Sequence, residues 1–329
     1  MLFSEVLLKG LIVVRVNASV TLMSRFSAFL VLTAFSAFVL TDTSVYAQQG
    51  LANRTLVPAD SSQTGLISDV VDDRAIKQLI SSKADLLLPD PEVSLLKGFE
   101  EQIKRSETKL KLPKLKSAAL ASHEVYPAVA PSVLVLSKVY KCGRCTRWHD
   151  RSAGAFAITA DGAIVTNHHV VEGVQPDERA LVATAANGKV YVVKEILAAD
   201  ELNDIAILQL ELPAGEKLIP AKIAERAIPG EDVYAISHPV SRFYTLTKGV
   251  VSRNAMMHTP KGSAKRLYIT AEFAKGSSGS PIFNSRGEVV GIVSSTQSIY
   301  YTETQDQQKN LQMVFRNCVP ASSVHLLLK

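Results

Sequence analysis

Cysteine is scarce. The chain has only three among 329 residues, Cys142, Cys145 and Cys318. It is therefore not a disulfide-dense scaffold, and its stability has to come mainly from a buried apolar core. Strong charge of one sign is missing as well. The formal net charge is +5 and charged residues are 20% of the chain, mixed in sign. No long arginine tract or aromatic-interleaved basic patch accompanies that small excess, so no nucleic-acid partner is expected. The HExxH pattern of helical zinc hydrolases is absent. So are GxSxG and the strand–helix alternation around it, which counts against an α/β-hydrolase esterase. There is no repeat at a fixed period.

What is present is enough apolar material, 47% of residues, for a substantial core and one or two domains plus tails. The N-terminus reads as an address. From Met23, Arg25 supplies a positive n-region, Ala28 to Leu40 is uncharged and mostly apolar, and Val45-Tyr46-Ala47 is a small-x-small cleavage site. The apolar stretch is shorter than the about 20 residues a spanning helix needs. Residues 1–47 are therefore expected to be a signal peptide, with Met23 the working start. An uncleaved anchor is the alternative, because "VLLKGLIVVRV" upstream is also apolar. Export, to a periplasm or beyond, follows from the leader.

Residues 48–123 read as a helical or disordered extension. Apolar residues at Ile67, Val70, Val71, Ile76, Leu79 and Ile80 have roughly helical spacing, and "EVSLLKGFEEQIKRSETKLKL" suggests a second, charged helix. The lysine-rich run Lys104 to Lys116 is either a solvated face or a membrane-surface helix. From about Glu124 the texture changes to a dozen short β-prone runs, from "PSVLVLSKVY" to "LQMVFRN", separated by turn pairs such as Asp161-Gly162, Asn187-Gly188 and Arg286-Gly287. With no long helix between them, these runs predict an all-β barrel or sandwich over 124–329. "ASSVHLLLK" at the end suggests a short helix. About 50 residues follow Ser278, and strands are expected to use most of them, so no further peptide-binding domain is expected there.

Three stretches carry chemistry. In "AIVTNHHVVEG" a β-branched strand runs into His168 and His169; alone, the pair is equally a polar strand end. One metal ion would not suit both, because neighbours on an extended chain point to opposite faces. In "NDIAILQL" Asp204 opens an apolar strand, a place where acids are common in turns. A neutral histidine base, however, needs a carboxylate to hold its tautomer. In "KGSSGSPIFNSRGEVVGIVSS" small residues crowd around Ser278. A serine hydroxyl needs a neighbouring base to become a nucleophile, and attack on an amide needs donors for the oxyanion. A glycine-rich loop can aim consecutive N–H groups inward.

Together these segments resemble the trypsin-like (chymotrypsin-fold) serine proteases, in particular the bacterial HtrA-like branch without a PDZ domain. "SAGAFAITADGAIVTNHHVV" is similar to that family's histidine motif, "NDIAILQL" to its aspartate motif and the Ser278 segment to its serine motif. "TLTKGVVSR" is similar to the strand before the serine loop. The match covers about 125–329. The resemblance implies two six-stranded antiparallel β-barrels with the site in the cleft between them. It implies His169 as general base, Asp204 as its orienter and Ser278 as nucleophile. The N–H groups of Gly276 and Ser278 would form the oxyanion hole, with no metal or other cofactor and with protein or peptide substrates. Ser280 departs from the family pattern, where glycine is usual, which puts the oxyanion-hole geometry in question. Glu272, six residues before the nucleophile, would favour lysine or arginine before the cut if it lines the specificity pocket. The HtrA branch has a small residue there and takes small apolar side chains, and Phe273 could instead take the inward direction.

"KCGRCTRWH" stands apart. It lacks the CxxCH of a haem attachment and the setting of a thioredoxin-like motif. Three readings stay open: a Cys142–Cys145 disulfide clipping the loop, reduced structural thiols, or zinc on Cys142, Cys145 and His149. The zinc reading wants a fourth ligand that the neighbouring sequence does not offer. A catalytically silent, protease-like peptide-binding module is the alternative function.

Overall fold

The computed structural model describes residues 70–90, 94–304 and 307–329. The expected leader, 1–47, and the polar stretch 48–68 lie outside the described residues. Among the described residues, thirteen strands follow a short helical lead. Strands β1 (Val133–Lys141), β2 (Trp148–Ala157), β3 (Ala163–Thr166), β4 (Glu178–Ala185), β5 (Val190–Asp200) and β6 (Ile205–Glu211) form a closed antiparallel barrel in the order β1-β2-β3-β6-β5-β4. After a two-residue strand β7 (Lys222–Ile223) come β8 (Asp232–Ser237), β9 (Thr245–Thr259), β10 (Gly262–Ile269), β11 (Pro281–Asn284), β12 (Glu288–Glu303) and β13 (Gln308–Pro320). Their order is β11-β8-β9-β10-β13-β12, and β11 also pairs with β12, which closes these six into a second ring. The chymotrypsin-like double barrel is thus the observed architecture, with β7 added in parallel to the start of β12.

Alternation along the strands builds the core. Leu134, Ala155, Ile164, Leu181, Ile196 and Leu208, one from each of β1 to β6, share one buried cluster, the interior of the first barrel. Val233, Val251, Leu267, Ile282, Val293 and Cys318 do the same for β8 to β13. The alternate set on β1, Val133, Val135 and Val139, joins Phe156, Tyr234, Phe283 and Ile292 in a third cluster drawn from both barrels. The period-2 pattern therefore buries both faces of β1. Each large apolar side chain taken out of water there contributes roughly 1.5–3 kcal/mol.

The extension differs from its sequence reading. Helix α1 spans Asp73–Leu87, later than the run from Ile67 suggested, because the Asp72 carboxylate accepts the Ala75 N–H at 2.9 Å and caps it there. Ile76, Ile80 and Ala84 lie on one face and pack into the third cluster. The second, charged helix is reduced to one turn, α2 (Phe99–Gln102), which starts at Gly98 with φ +85°. Beyond it the backbone is spent on the barrels and on the C-terminus. Arg105 O accepts from Ala199 N–H, and Thr108 exchanges hydrogen bonds with Leu327 and Lys329. Lys109-Leu110-Lys111-Leu112 alternates exposed lysines with half-buried leucines, a period of two that suits extended chain, not a helix. The Lys104–Lys116 run therefore holds no amphipathic helix. Helix α3 (Ser122–Val129) leads into β1, and the terminal stretch forms a 3-10 turn over Ala321–Leu327. Among the described residues no helix is long and apolar enough to cross a membrane.

Candidate active site

At the end of β3 the chain turns at Asn167 into a four-residue helix, α4 (His168–Val171), which separates the two histidines. His168 is buried, its Nδ1 3.7 Å from the Glu172 carboxylate. His169 is half open to solvent, and its Nδ1 donates to Asp204 Oδ1 at 2.8 Å, with Oδ2 at 3.1 Å. The His169 backbone N–H reaches the same Oδ1 at 3.2 Å. Asp204 sits at φ +58° in a tight turn before β6, an uncommon conformation for a non-glycine residue. Asn203 N–H bonded to Asp200 Oδ1 at 2.9 Å and Asn167 Nδ2 bonded to Asp204 O at 2.9 Å hold that turn.

A residue that the sequence did not single out completes the pair. Ser294, in β12, donates its hydroxyl to Asp204 Oδ2 at 2.6 Å, and its carbonyl accepts from Ser278 Oγ at 3.3 Å. Burial pushes the Asp204 pKa up. The His169 ring and backbone and the Ser294 hydroxyl more than offset this and hold the carboxyl below its usual range. Nothing local in "GIVSS" marks Ser294, because its partner is 90 residues away and the contact exists only when the second barrel closes against the first.

Ser278 lies where two hollows meet. One, of about 450 Å³, is shared with His169 and Gly276; the other, of about 150 Å³, is lined by Phe273, Ala274, Val293, Ser294 and Thr296. The N–H groups of Gly276 and Ser278 make no hydrogen bond among the described residues, whereas the Ser277, Gly279 and Ser280 N–H groups are all taken. Gly276 has φ +95°, and a Cβ there would stand 3.0 Å from His238 O, so the loop needs glycine to leave both donors free. A larger cavity of about 580 Å³, between α1 and β5, brings Leu79, Lys83, Tyr191 and Glu216 together and has no comparable base and nucleophile.

The family model of the trypsin-like peptidase domain matches residues 153–292. That stretch is a trypsin-like peptidase domain. It contains His169, Asp204 and Ser278. The chain is 31% identical over 171 residues to the serine endoprotease DegS of Escherichia coli, which is 50% of this chain and 45% of that one. It is 30% identical over 225 residues to a Pseudomonas putida protein named "probable periplasmic serine endoprotease DegP-like", 65% of this chain and 45% of the relative. It is also 30% identical over 146 residues to the chloroplastic protease Do-like 1 of Arabidopsis thaliana, 43% and 32%. The matches span less than half the length of each of these relatives.

Within the trypsin-like domain, Ser280 fits because of Gly154. A Cβ on Gly154 would lie 2.0 Å from Ser280 Oγ and 2.6 Å from its backbone nitrogen. Gly154 N–H donates to Ser278 O at 2.7 Å, and its carbonyl accepts from Thr166 Oγ1 at 2.8 Å. The departure at Ser280 is therefore absorbed by a missing side chain on β2 and leaves the Gly276 and Ser278 donors free.

The loop that braces the domain's Lys275–Gly276 segment turns on His238. This imidazole is fully buried; Nε2 donates to Leu134 O at 3.1 Å, and Nδ1 accepts the Tyr244 N–H at 3.1 Å. Val240 N–H in the same loop donates to Lys275 O at 2.7 Å. Burial pushes the His238 pKa down from 6.5 to about 4, so the native state holds it neutral. The unfolded chain takes up that proton near pH 6.5 and the folded chain only near 4, so lowering the pH across this window favours unfolding. His238 is expected to cost about 3 kcal/mol of stability between pH 7 and pH 4. Denaturant titrations of the wild type and His238→Gln at both pH values check this, and equal pH slopes would refute it.

Two expectations of the sequence are corrected. Glu272 does not line the hollow beside Ser278. Its side chain is 77% exposed and paired with Arg316 at 2.7 Å, while its neighbour Phe273 turns inward and is buried, as alternation along an extended chain requires. Cys142 and Cys145 are free thiols. Their Sγ atoms are 3.5 Å apart, well beyond the about 2.05 Å of a disulfide bond, so of the three readings the Cys142–Cys145 bridge is not formed. A hydrogen bond from the Arg144 backbone, then one from Cys145, pulls the Cys142 thiol down to about 7.

Proposed function

We propose that the chain is an exported serine endopeptidase working through an acyl-enzyme, with the catalytic domain at 124–329 and 48–123 an N-terminal extension. One observation carries this reading: a histidine held by a partly buried carboxylate faces the same cleft as Ser278 and two unpaired backbone N–H groups. His169 Nδ1–H is fixed by Asp204, which leaves Nε2 free to accept a proton. Ser278 Oγ now donates to the Ser294 carbonyl; rotation about its Cα–Cβ bond releases it toward His169. In turnover, Oγ attacks the scissile carbonyl as His169 takes its proton, and the N–H groups of Gly276 and Ser278 receive the oxyanion. His169⁺ then protonates the leaving amine, and water repeats the sequence on the ester. An extended peptide lying as an added strand between the barrels suits this cleft. Labelling by a fluorophosphonate tests the reading. Ser278 is expected to be labelled, and a reagent that leaves folded protein unmodified would favour the silent, peptide-binding alternative.

The hollow of about 150 Å³ beside Ser278 has Phe273, Ala274 and Val293 in its wall and no carboxylate. It suits a small apolar side chain before the cut. A lysine has no counter-charge there and would meet Lys275 in the same lining. Digestion of a peptide library is expected to give cuts after valine and alanine; cuts confined to lysine or arginine would refute the assignment. Export rests on the leader-like residues 23–47 and is in keeping with the periplasmic name of the Pseudomonas relative. N-terminal sequencing of secreted protein is expected to begin at Gln48, and a mature protein that keeps residues 23–47 would refute processing there.

A further inference from the structure

The turn between β1 and β2 brings together three side chains that the proposed chemistry does not use. Cys142 follows the last residue of β1, Cys145 is three residues on, and His149 is the second residue of β2, paired in register with Tyr140. Gly143, at φ +68°, makes the tight bend that points both sulfurs to one side. Cys142 Sγ is 3.5 Å from Cys145 Sγ, Cys145 Sγ is 3.1 Å from His149 Nε2, and all three atoms lie within 4.8 Å of one another. His149 is held at its ring by Tyr140, with centroids 5.4 Å apart.

We propose that Cys142, Cys145 and His149 bind one zinc(II) ion, with a water in the fourth position. Zinc–sulfur bonds of about 2.3 Å and zinc–nitrogen bonds of about 2.05 Å at tetrahedral angles set sulfurs about 3.8 Å apart and sulfur from nitrogen about 3.6 Å. The Cys142–Cys145 and Cys145–His149 spacings are shorter by a few tenths of an ångström and the third donor pair lies within 4.8 Å, so small shifts of these side chains admit the ion. A disulfide would use two of the three groups and leave the histidine nitrogen against a sulfur without purpose. Thiolate and imidazole donors select zinc over magnesium or calcium. Two thiolates cancel the charge of the ion. The nearby Lys141 ammonium is directed elsewhere, to Thr146 O and the Trp148 ring. Asp150, next along β2, points to the opposite face and is held by Lys77 at 3.2 Å, so it does not supply the fourth ligand. Bound there, the ion fastens the turn of the β1–β2 hairpin, whose Arg151, Ser152 and Ala153 line the cleft beside His169.

Cobalt(II) tests the site in the reduced full chain under anaerobic conditions. One equivalent is expected to give a near-ultraviolet thiolate-to-cobalt charge-transfer band with strong visible bands of a four-coordinate ion, both displaced by zinc. Cys142→Ser, Cys145→Ser and His149→Gln are each expected to weaken binding by about 100-fold or more, and Cys318→Ser to leave it unchanged. Zinc is expected to raise the thermal midpoint of the wild type and not of the variants. Circular dichroism of each variant separates lost binding from lost fold. Absence of the charge-transfer band in reduced protein, or an unchanged band in the folded Cys142→Ser or His149→Gln variants, would each overturn the proposal.

Discussion

Replacing Ser278 by alanine is expected to lower peptide hydrolysis by about three to six orders of magnitude and to leave the fold intact. The asymmetry follows from its contacts. The hydroxyl is half-buried and makes one hydrogen bond, to Ser294 O at 3.3 Å, so its loss is expected to change stability by less than about 1 kcal/mol. Chemically it is the atom that forms the bond to the substrate, and nothing nearby can replace it. Ser277 is fully buried with its hydroxyl unpartnered, and Ser280 is buried against Gly154, so neither can reach a carbonyl in the cleft. What hydrolysis remains is expected to come from the Gly276 and Ser278 N–H groups and from substrate binding. For the same reason the Ser278→Ala and His169→Ala changes are not expected to add, because each disables the same step. Single-turnover assays of the two single variants and the double variant, with thermal unfolding of each, check this. A Ser278→Ala protein with more than about a tenth of wild-type turnover would remove the nucleophile assignment.

Much of this arrangement was legible in the sequence, for identifiable reasons. Strands such as "VLVLSKVY" announce themselves as short apolar, β-branched runs, and the turn pairs between them fix where they end, so an all-β reading of 124–329 needs no tertiary information. His169, Asp204 and Ser278 stand in local motifs whose residue types the chemistry demands. What stayed hidden depended on contacts distant in the chain. The lysine–leucine alternation of 109–112 has the period of extended chain, but its charge invites a helical reading until barrel and C-terminal backbone are seen to take its hydrogen bonds. The choice between Glu272 and Phe273 is a choice of side-chain direction, settled by the interior of the second barrel and by Arg316. Ser294 is one serine among several, given its part only by Asp204 across the cleft. Ser280 looked like a defect because Gly154, which makes room for it, lies 126 positions earlier.

Asparagine at 204 is the sharper test of how the base is held. Its expected effect is a loss of about four orders of magnitude in turnover near neutral pH, with little change in substrate affinity. As a carboxylate, Asp204 accepts at both oxygens: Oδ1 takes the His169 ring and backbone N–H groups, and Oδ2 takes the Ser294 hydroxyl. An amide has one oxygen. If that oxygen faces His169, the geometry survives, but the negative charge that stabilises the imidazolium is gone. If the NH₂ faces His169, the proton moves to Nε2, which can then no longer accept from Ser278. Either orientation disables the base without a steric change, so a folded but inert protein is expected. Ser294→Ala removes one donor to the same carboxylate and leaves its charge; a loss of about 10–100-fold is expected. The size of the two losses separates the roles, because Ser294→Ala keeps the carboxylate that Asp204→Asn removes. The Asp204 carboxyl is held below its usual range, so it is ionised throughout the neutral range in the wild type. Near-wild-type turnover of Asp204→Asn would mean that His169 acts without the carboxylate, and the proposed triad would fail at its orienting member.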